Sequence, residues 1–113
     1  MPPSDLKAKT RIWIESEDST FLGYGRIQLL ESIHKEGSIS KAARSMDMSY
    51  VKAWKLIDQM NSKAKVVITA TGGKKGGGAT VTKYGLSLIK SFNELNDRCE
   101  KFADREIKKL DWK

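Results

Sequence analysis

Two hydrophobic periods alternate along this chain, and the change from one to the other divides it into elements. From Thr10 to Glu15, Ile12 and Ile14 alternate with Arg11, Trp13 and Glu15, which predicts a short strand in an edge or hairpin role. Trp13 would cover the other face of that small sheet. Gly23-Tyr24-Gly25 then punctuates the chain, and Ile27, Leu30 and Ile33, with Leu29 beside them, return at helical spacing. That first helix is expected to close at Gly37, whose freedom at positive φ suits a helix end. Residues 1–8 have no comparable pattern and are expected to be disordered.

The run from Gly37 to Ile57 is the most informative in the chain. Ser38 or Ser40 can accept a hydrogen bond from an orphan amide at a helix start, and the short helix that follows places Ala42, Ala43 and Met46 on or near its inner face. Alanines suit that position because two helices crossing at roughly 90–120° must approach closely at the corner. Asp47-Met48-Ser49 breaks the helix, with Met48 able to plug the corner and Ser49 placed to cap the next helix. On that second helix Ala53, Ile57 and Met60 share a buried stripe, which leaves Tyr50, Lys52, Lys55 and Gln59 on a polar, basic face. The spacing therefore predicts a helix-turn-helix over residues 38–62.

Asn61-Ser62-Lys63 ends that helix, and Val66-Val67-Ile68-Thr69 has strong β character. A glycine- and lysine-rich loop follows, then Ala79-Thr80-Val81-Thr82 as a returning strand, so residues 66–82 read as a hairpin with a basic tip, a wing. Thr82 can cap a last helix over residues 83–111, where Leu88, Phe92, Leu95, Cys99 and Phe102 recur in steps of four and three. A helix of ~29 residues is roughly 44 Å long. Its seam exceeds what so small a core can cover, which points to a dimer interface formed by those five residues; a monomer that folds the helix back onto the first helix is the alternative. The fold class is mainly α with a small β-sheet, a winged helix-turn-helix with a long C-terminal helix.

Charge sharpens the picture. Ser38 to Lys83 holds nine Lys or Arg against Asp47 and Asp58, a net +7, while the remainder carries twelve of each sign. A neutral body with one basic sector is the distribution expected of a protein that docks a polyanion on one face, with duplex DNA the leading candidate. The 113 residues suffice for one domain and one modest core. No apolar run approaches the roughly 20 residues that cross a bilayer, and the start of the chain lacks the apolar centre of a secretory signal, so a cytoplasmic, nucleoid-associated protein is expected. A single cysteine and a single histidine exclude a disulfide framework and ordinary zinc spacings.

Three blocks in order now carry a family resemblance: the Gly37–Ile57 run, the loop Ala-Thr-Gly-Gly-Lys-Lys-Gly-Gly-Gly-Ala at 70–79, and Thr82-Lys-Tyr-Gly after it. Together they resemble the N-terminal DNA-binding domain of ModE-type, molybdate-responsive transcription regulators and, more distantly, the helix-turn-helix of LysR-type regulators. The resemblance implies a homodimeric winged helix with one recognition helix per subunit in the major groove. It places Ser49, Tyr50, Lys52 and Lys55 on that helix, and Lys74 and Lys75 at the wing tip. The chain ends at Lys113, before the molybdate-binding region that longer members of the family carry, so no cofactor is expected.

The candidate DNA contacts are accordingly Ser38, Ser40, Lys41, Ser49, Tyr50, Lys52, Lys55, Lys74 and Lys75. An amide-rich helix start at Ser49 can hold a phosphate, and lysines can donate to guanine acceptors. Glycines beside Lys74 and Lys75 let the backbone approach a phosphate closely. Lys41 and Arg44 either touch phosphate or are merely exposed. Trp54 is read as packing rather than base stacking, and Tyr84 as a packing anchor at the base of the wing. Cys99 reads as a small buried hydrophobe, and no catalytic residue is assigned.

Two rival readings place the function elsewhere. A nucleotide-binding protein could use the glycine loop, but a P-loop from Gly73 would need lysine where Ala79 stands, and the loop leads into a strand. A protein-interaction adaptor could use the long terminal helix.

Overall fold

A computed structural model describes residues 5–70 and 78–111. Its order is β1 (Trp13–Ser16), β2 (Ser19–Gly23), α1 (Tyr24–Glu36), α2 (Ile39–Ser45), α3 (Tyr50–Asn61), β3 (Val67–Thr69), β4 (Ala79–Val81) and α4 (Lys83–Ile107). The fold is a mainly α winged helix with a long last helix. Its β content divides into two separate antiparallel pairs, β1 with β2 and β3 with β4.

The strand read over residues 10–15 starts later, at Trp13, and pairs with β2, which the sequence pattern did not reveal. Glu17 and Asp18 join the two with φ of 52° and 64°, the doubly left-handed geometry that makes a two-residue turn follow the strand twist. Trp13 remains largely exposed, its indole donating to Glu15 Oε2 at 3.0 Å. Gly23-Tyr24-Gly25 punctuates the chain as the direct passage from β2 to α1: Gly23 ends the strand and caps the helix in an extended conformation, and Tyr24 and Gly25 lie in its first turn.

At the other end of α1, Gly37 adopts φ 72° and its N–H reaches Ile33 O at 2.7 Å. The Gly37 carbonyl then accepts from Ala79 N at 2.9 Å, tying the helix end to the outer edge of β4. Ile27, Leu29, Leu30 and Ile33 of α1 lie at the centre of one continuous core, with Ala42, Ala43, Ala53, Ile57, Met60, Val66, Val67, Val81 and Phe92 around them.

The base of α4 is locked by a set of short contacts. Thr82 Oγ1 donates to Lys65 O at 2.8 Å and accepts from Gly85 N at 3.0 Å, while Thr82 N donates to Val66 O at 2.9 Å. Gly85 is buried, and a Cβ there would lie 2.6 Å from Val66 O and 2.7 Å from Val81 Cγ1. Gly85, not Tyr84, is therefore the packing anchor; Tyr84 is exposed.

The α4 seam is not uniform. Phe92 is 3% exposed and belongs to this chain's own core, with Leu88 half-buried beside it. As an interface residue Phe92 is thus corrected: its ring is already spent inside the chain. Cys99 is half-buried, and Leu95 and Phe102 are exposed at 43% and 57%. Of the start expected to be disordered, residues 1–4 lie outside the described residues. Ala8, by contrast, donates its N–H to Asp104 Oδ1 at 2.8 Å, and Thr10 Oγ1 donates to Asn96 Oδ1 at 3.2 Å, which lays this segment along α4.

Replacing Gly85 with Ala is expected to lower the unfolding free energy by about 2 kcal/mol, the scale of an overpacked core position. A urea titration with an unchanged midpoint would contradict the close approach.

Candidate nucleic-acid interface

The basic face is aimed by a tight corner. Ala42, Ala43 and Ala53 are at most 2% exposed, small side chains buried where α2 and α3 pack against each other. Asp47 makes the turn at φ 54°, and Met48 N returns to Ala43 O at 2.9 Å. Met48 packs against the core from the corner.

Both motif helices are capped from the sequence. Ser38, not Ser40, caps α2, its Oγ accepting from Lys41 N at 3.2 Å. Ser49 Oγ accepts from Lys52 N at 3.1 Å and starts α3. Each cap contributes about 1 kcal/mol to its helix. Ser38 is half-buried and Ser40 exposed.

With Ala53, Ile57 and Met60 turned inward, Tyr50, Lys52, Lys55, Asp58 and Gln59 of α3 are exposed, as are Lys41 and Arg44 of α2. None of the four cations Lys41, Arg44, Lys52 and Lys55 has an ion pair among the described residues. Along α4 and just past it the cations are mixed: Arg98 pairs with Glu94, Lys101 with Asp97 and Lys109 with Glu106, whereas Lys83, Lys90 and Arg105 have no ion pair among the described residues. Lys63, also in the basic sector, is held 3.2 Å from Glu17 of the β1–β2 turn. Such exposed pairs stabilise little, but they do offset local charge. Lys74 and Lys75 lie outside the described residues.

Trp54 is half-buried and packs against the core, and the Tyr50 ring meets it edge-on at 6.3 Å and 75°. That contact restrains the Tyr50 side chain at the start of α3.

Two features of this surface were not read from the sequence as site features. Val51 is 72% exposed on the first turn of α3, an apolar group beside the lysines. Its only sequence signal was an apolar residue outside the buried stripe. Arg26 of α1 donates through Nη2 to Gln59 Oε1. Burial pushes the Arg26 guanidinium below its ordinary range, though a guanidinium stays charged.

Asn61 joins this surface to the second sheet. Its Oδ1 accepts from Val66 N and Val67 N at 2.8 and 3.2 Å, and its Nδ2 donates to Val67 O at 3.1 Å. The carboxamide thus occupies the outer edge of β3 as a neighbouring strand would. A groove of about 530 Å³ runs between α3 and β3, lined by Trp54, Asp58, Asn61, Lys65 and Ile68 among others.

No family model matches the chain. Among curated relatives, the "Molybdenum transport protein ModE" of Azotobacter vinelandii is 36% identical over 102 residues, 88% of this chain and 38% of its own length. The "DNA-binding transcriptional dual regulator ModE" of Escherichia coli K12 is 36% identical over 101 residues, with the same coverage of both chains. This chain is a ModE-type domain. It spans 38% of the length of those two relatives. The ModE-type domain also matches the "Molybdenum-pterin-binding protein MopB" of Rhodobacter capsulatus, at 43% identity over 76 residues, 66% of this chain and 28% of the relative.

In this ModE-type domain Asn61→Ala removes three hydrogen bonds and bares the β3 edge. The expected loss is about 2 kcal/mol of stability, with faster amide exchange at Val66 and Val67. Exchange rates equal to those of the parent would refute the edge role.

Proposed function

We propose that this domain binds double-stranded DNA sequence-specifically as part of a transcription regulator, with α3 in the major groove and the β3–β4 wing on the phosphate backbone. The observation that carries the reading is that Lys41, Arg44, Lys52 and Lys55 are exposed and without an ion pair among the described residues, on two helices fixed by the alanine corner. Unpaired cations on a rigid face release condensed counterions when they meet phosphates, without first breaking internal ion pairs. The names of the relatives, transcriptional regulators among them, support the same reading.

Within that role Tyr50, Lys52 and Lys55 project from the half of α3 that this motif directs at base edges. Val51 offers an apolar contact for a thymine methyl. Ser49, Lys41 and Arg44 flank them as phosphate contacts, with Ser38 and Ser40 at the start of α2. Lys74 and Lys75 are assigned to phosphate at the wing tip. The domain is assigned no cofactor and no catalytic role, and it would act on the nucleoid in the cytoplasm.

The domain is further proposed to work as a homodimer through the part of α4 that its own core leaves uncovered. Leu95, Cys99 and Phe102 form that remnant of the seam, with Leu88 at its inner margin. Two recognition helices would then sit about 34 Å apart on a pseudo-palindrome.

Lys55→Ala and Tyr50→Ala are expected to erase discrimination between cognate and random duplex, whereas Lys75→Ala weakens both about equally. Competition binding over a salt series checks this, because log affinity should fall with log salt by about 0.9 per phosphate neutralised. Equal losses from all three variants, or a slope near zero, would remove the case. For the dimer, Phe102→Ser is expected to shift the sedimenting species to monomer while leaving the unfolding midpoint in place. An unchanged sedimentation profile would locate self-association elsewhere.

A further inference from the structure

Tyr50, Trp54, Asp58 and Asn61 follow one another along α3 in steps of four, four and three, so they share one flank of the helix. Asn61 fixes what that flank faces, because its carboxamide is paired along the edge of β3. Val51 and Lys55 lie farther round, exposed on the face turned away from the buried stripe. The groove of about 530 Å³ between α3 and β3 therefore opens between the outward face of α3 and the second sheet.

This groove contains a donor with nothing to donate to. An indole Nε1–H can only donate, and inside a fold it ordinarily finds a partner. Trp54 lines the groove half-buried, and its Nε1 has no hydrogen-bond partner among the described residues. Arg26 Nε is the one side-chain atom among the described residues that is both unpartnered and shielded from solvent, so the Trp54 nitrogen is open to a ligand. Lys65 lines the same groove, exposed and without an ion pair among the described residues.

The chemistry matches one strand of a sugar-phosphate backbone. The lining runs from Trp54 to Thr69, inside the stretch from Ser38 to Lys83 that carries the net +7. Phosphate oxygens accept from neutral and charged donors alike, and Ile68, 56% exposed in the lining, offers an apolar surface to a deoxyribose. Asp58 shares the lining, and its carboxylate repels phosphate, a cost that Lys65 offsets.

We propose that the groove between α3 and β3 seats one backbone strand of the duplex whose major groove receives α3, with Trp54 Nε1–H donating to a phosphate and Lys65 supplying positive charge to that strand. The proposal rests on α3 entering the major groove and deepens that reading, since it assigns Trp54 to the backbone and not to a base.

The test uses the full chain and duplexes recovered by selection from a random pool. Trp54→Phe, which keeps an aromatic ring against the core and removes the donor, should weaken cognate and random duplexes alike by about tenfold. It should leave the salt dependence unchanged, because a neutral donor displaces no counterion, whereas Lys65→Met should lower the salt slope by about 0.9. Replacing each phosphate of the bound duplex in turn by an uncharged methylphosphonate should find one position where the loss seen with the parent is smaller with Trp54→Phe. Thermal unfolding shows whether each variant is folded. In the parent itself, the Trp54 indole N–H resonance should move downfield when duplex is added, a readout that needs no folded variant.

A folded Trp54→Phe with the parent's affinity would overturn the proposal, as would an indole resonance that stays in place while the α3 amides shift. Loss confined to one base pair in Trp54→Phe would make the indole a base contact and overturn it too, and so would a folded Lys65→Met with the parent's salt slope. A parent protein that binds no duplex at all would instead overturn the DNA reading, and this proposal with it.

Discussion

The close approach of α2 and α3 is the constraint on which the rest of the molecule depends. Ala42, Ala43 and Ala53 are almost wholly buried at the corner, and the left-handed Asp47 lets the chain turn within the four residues between α2 and α3. Larger side chains at those alanines would push the helices apart and rotate α3 about its own contact line. Because the inner stripe of Ala53, Ile57 and Met60 is fixed against the core, the outward direction of Lys52 and Lys55 is fixed with it. Charge placement is thus a consequence of packing, not an independent property of the surface.

The same core determines what the remaining elements can offer. Gly85 brings the start of α4 onto the β3–β4 pair, and Asn61 closes the outer edge of β3, so the second sheet is held against the end of α3. Farther along α4, the buried core stops after Phe92; the segment with Ala8 and Thr10 lies along the rest, Cys99 is half-buried, and Leu95 and Phe102 stay exposed. One helix therefore differs along its length, its first half completing the fold and its second half keeping Leu95 and Phe102 exposed.

Much of this architecture was legible because local and long-range signals agreed. Around the corner, two serines at cap positions, alanines at the crossing and an apolar stripe at helical period all specified the same motif. The ModE-type resemblance of the glycine loop pointed the same way. The β1–β2 pair was only half legible: Ser19-Thr-Phe-Leu-Gly lacks clean alternation, and Glu17-Asp18 turns the chain without the glycine that ordinarily marks such a turn. Periodicity placed Phe92 and Phe102 on one seam but carries no information on which of them the chain itself covers.

The contacts that escaped the sequence are those made by residues far apart in it. Arg26 and Gln59 are 33 positions apart, and Ala8 and Asp104 are 96 apart. Neither pairing leaves a periodic trace. Asn61 looked like a helix terminator, and only the folded chain shows its carboxamide paired along a strand. Val51 is similar: its exposure follows from the rotation of α3, which the alanine corner sets.

Amide chemical-shift mapping of the domain during titration with a selected duplex tests the central claim most directly. The account predicts that the largest changes fall on Ser49 to Lys55 and on the exposed residues of α2, with the second half of α4 unmoved. Changes concentrated on α4, with the α3 amides held at their free-state positions, would contradict it.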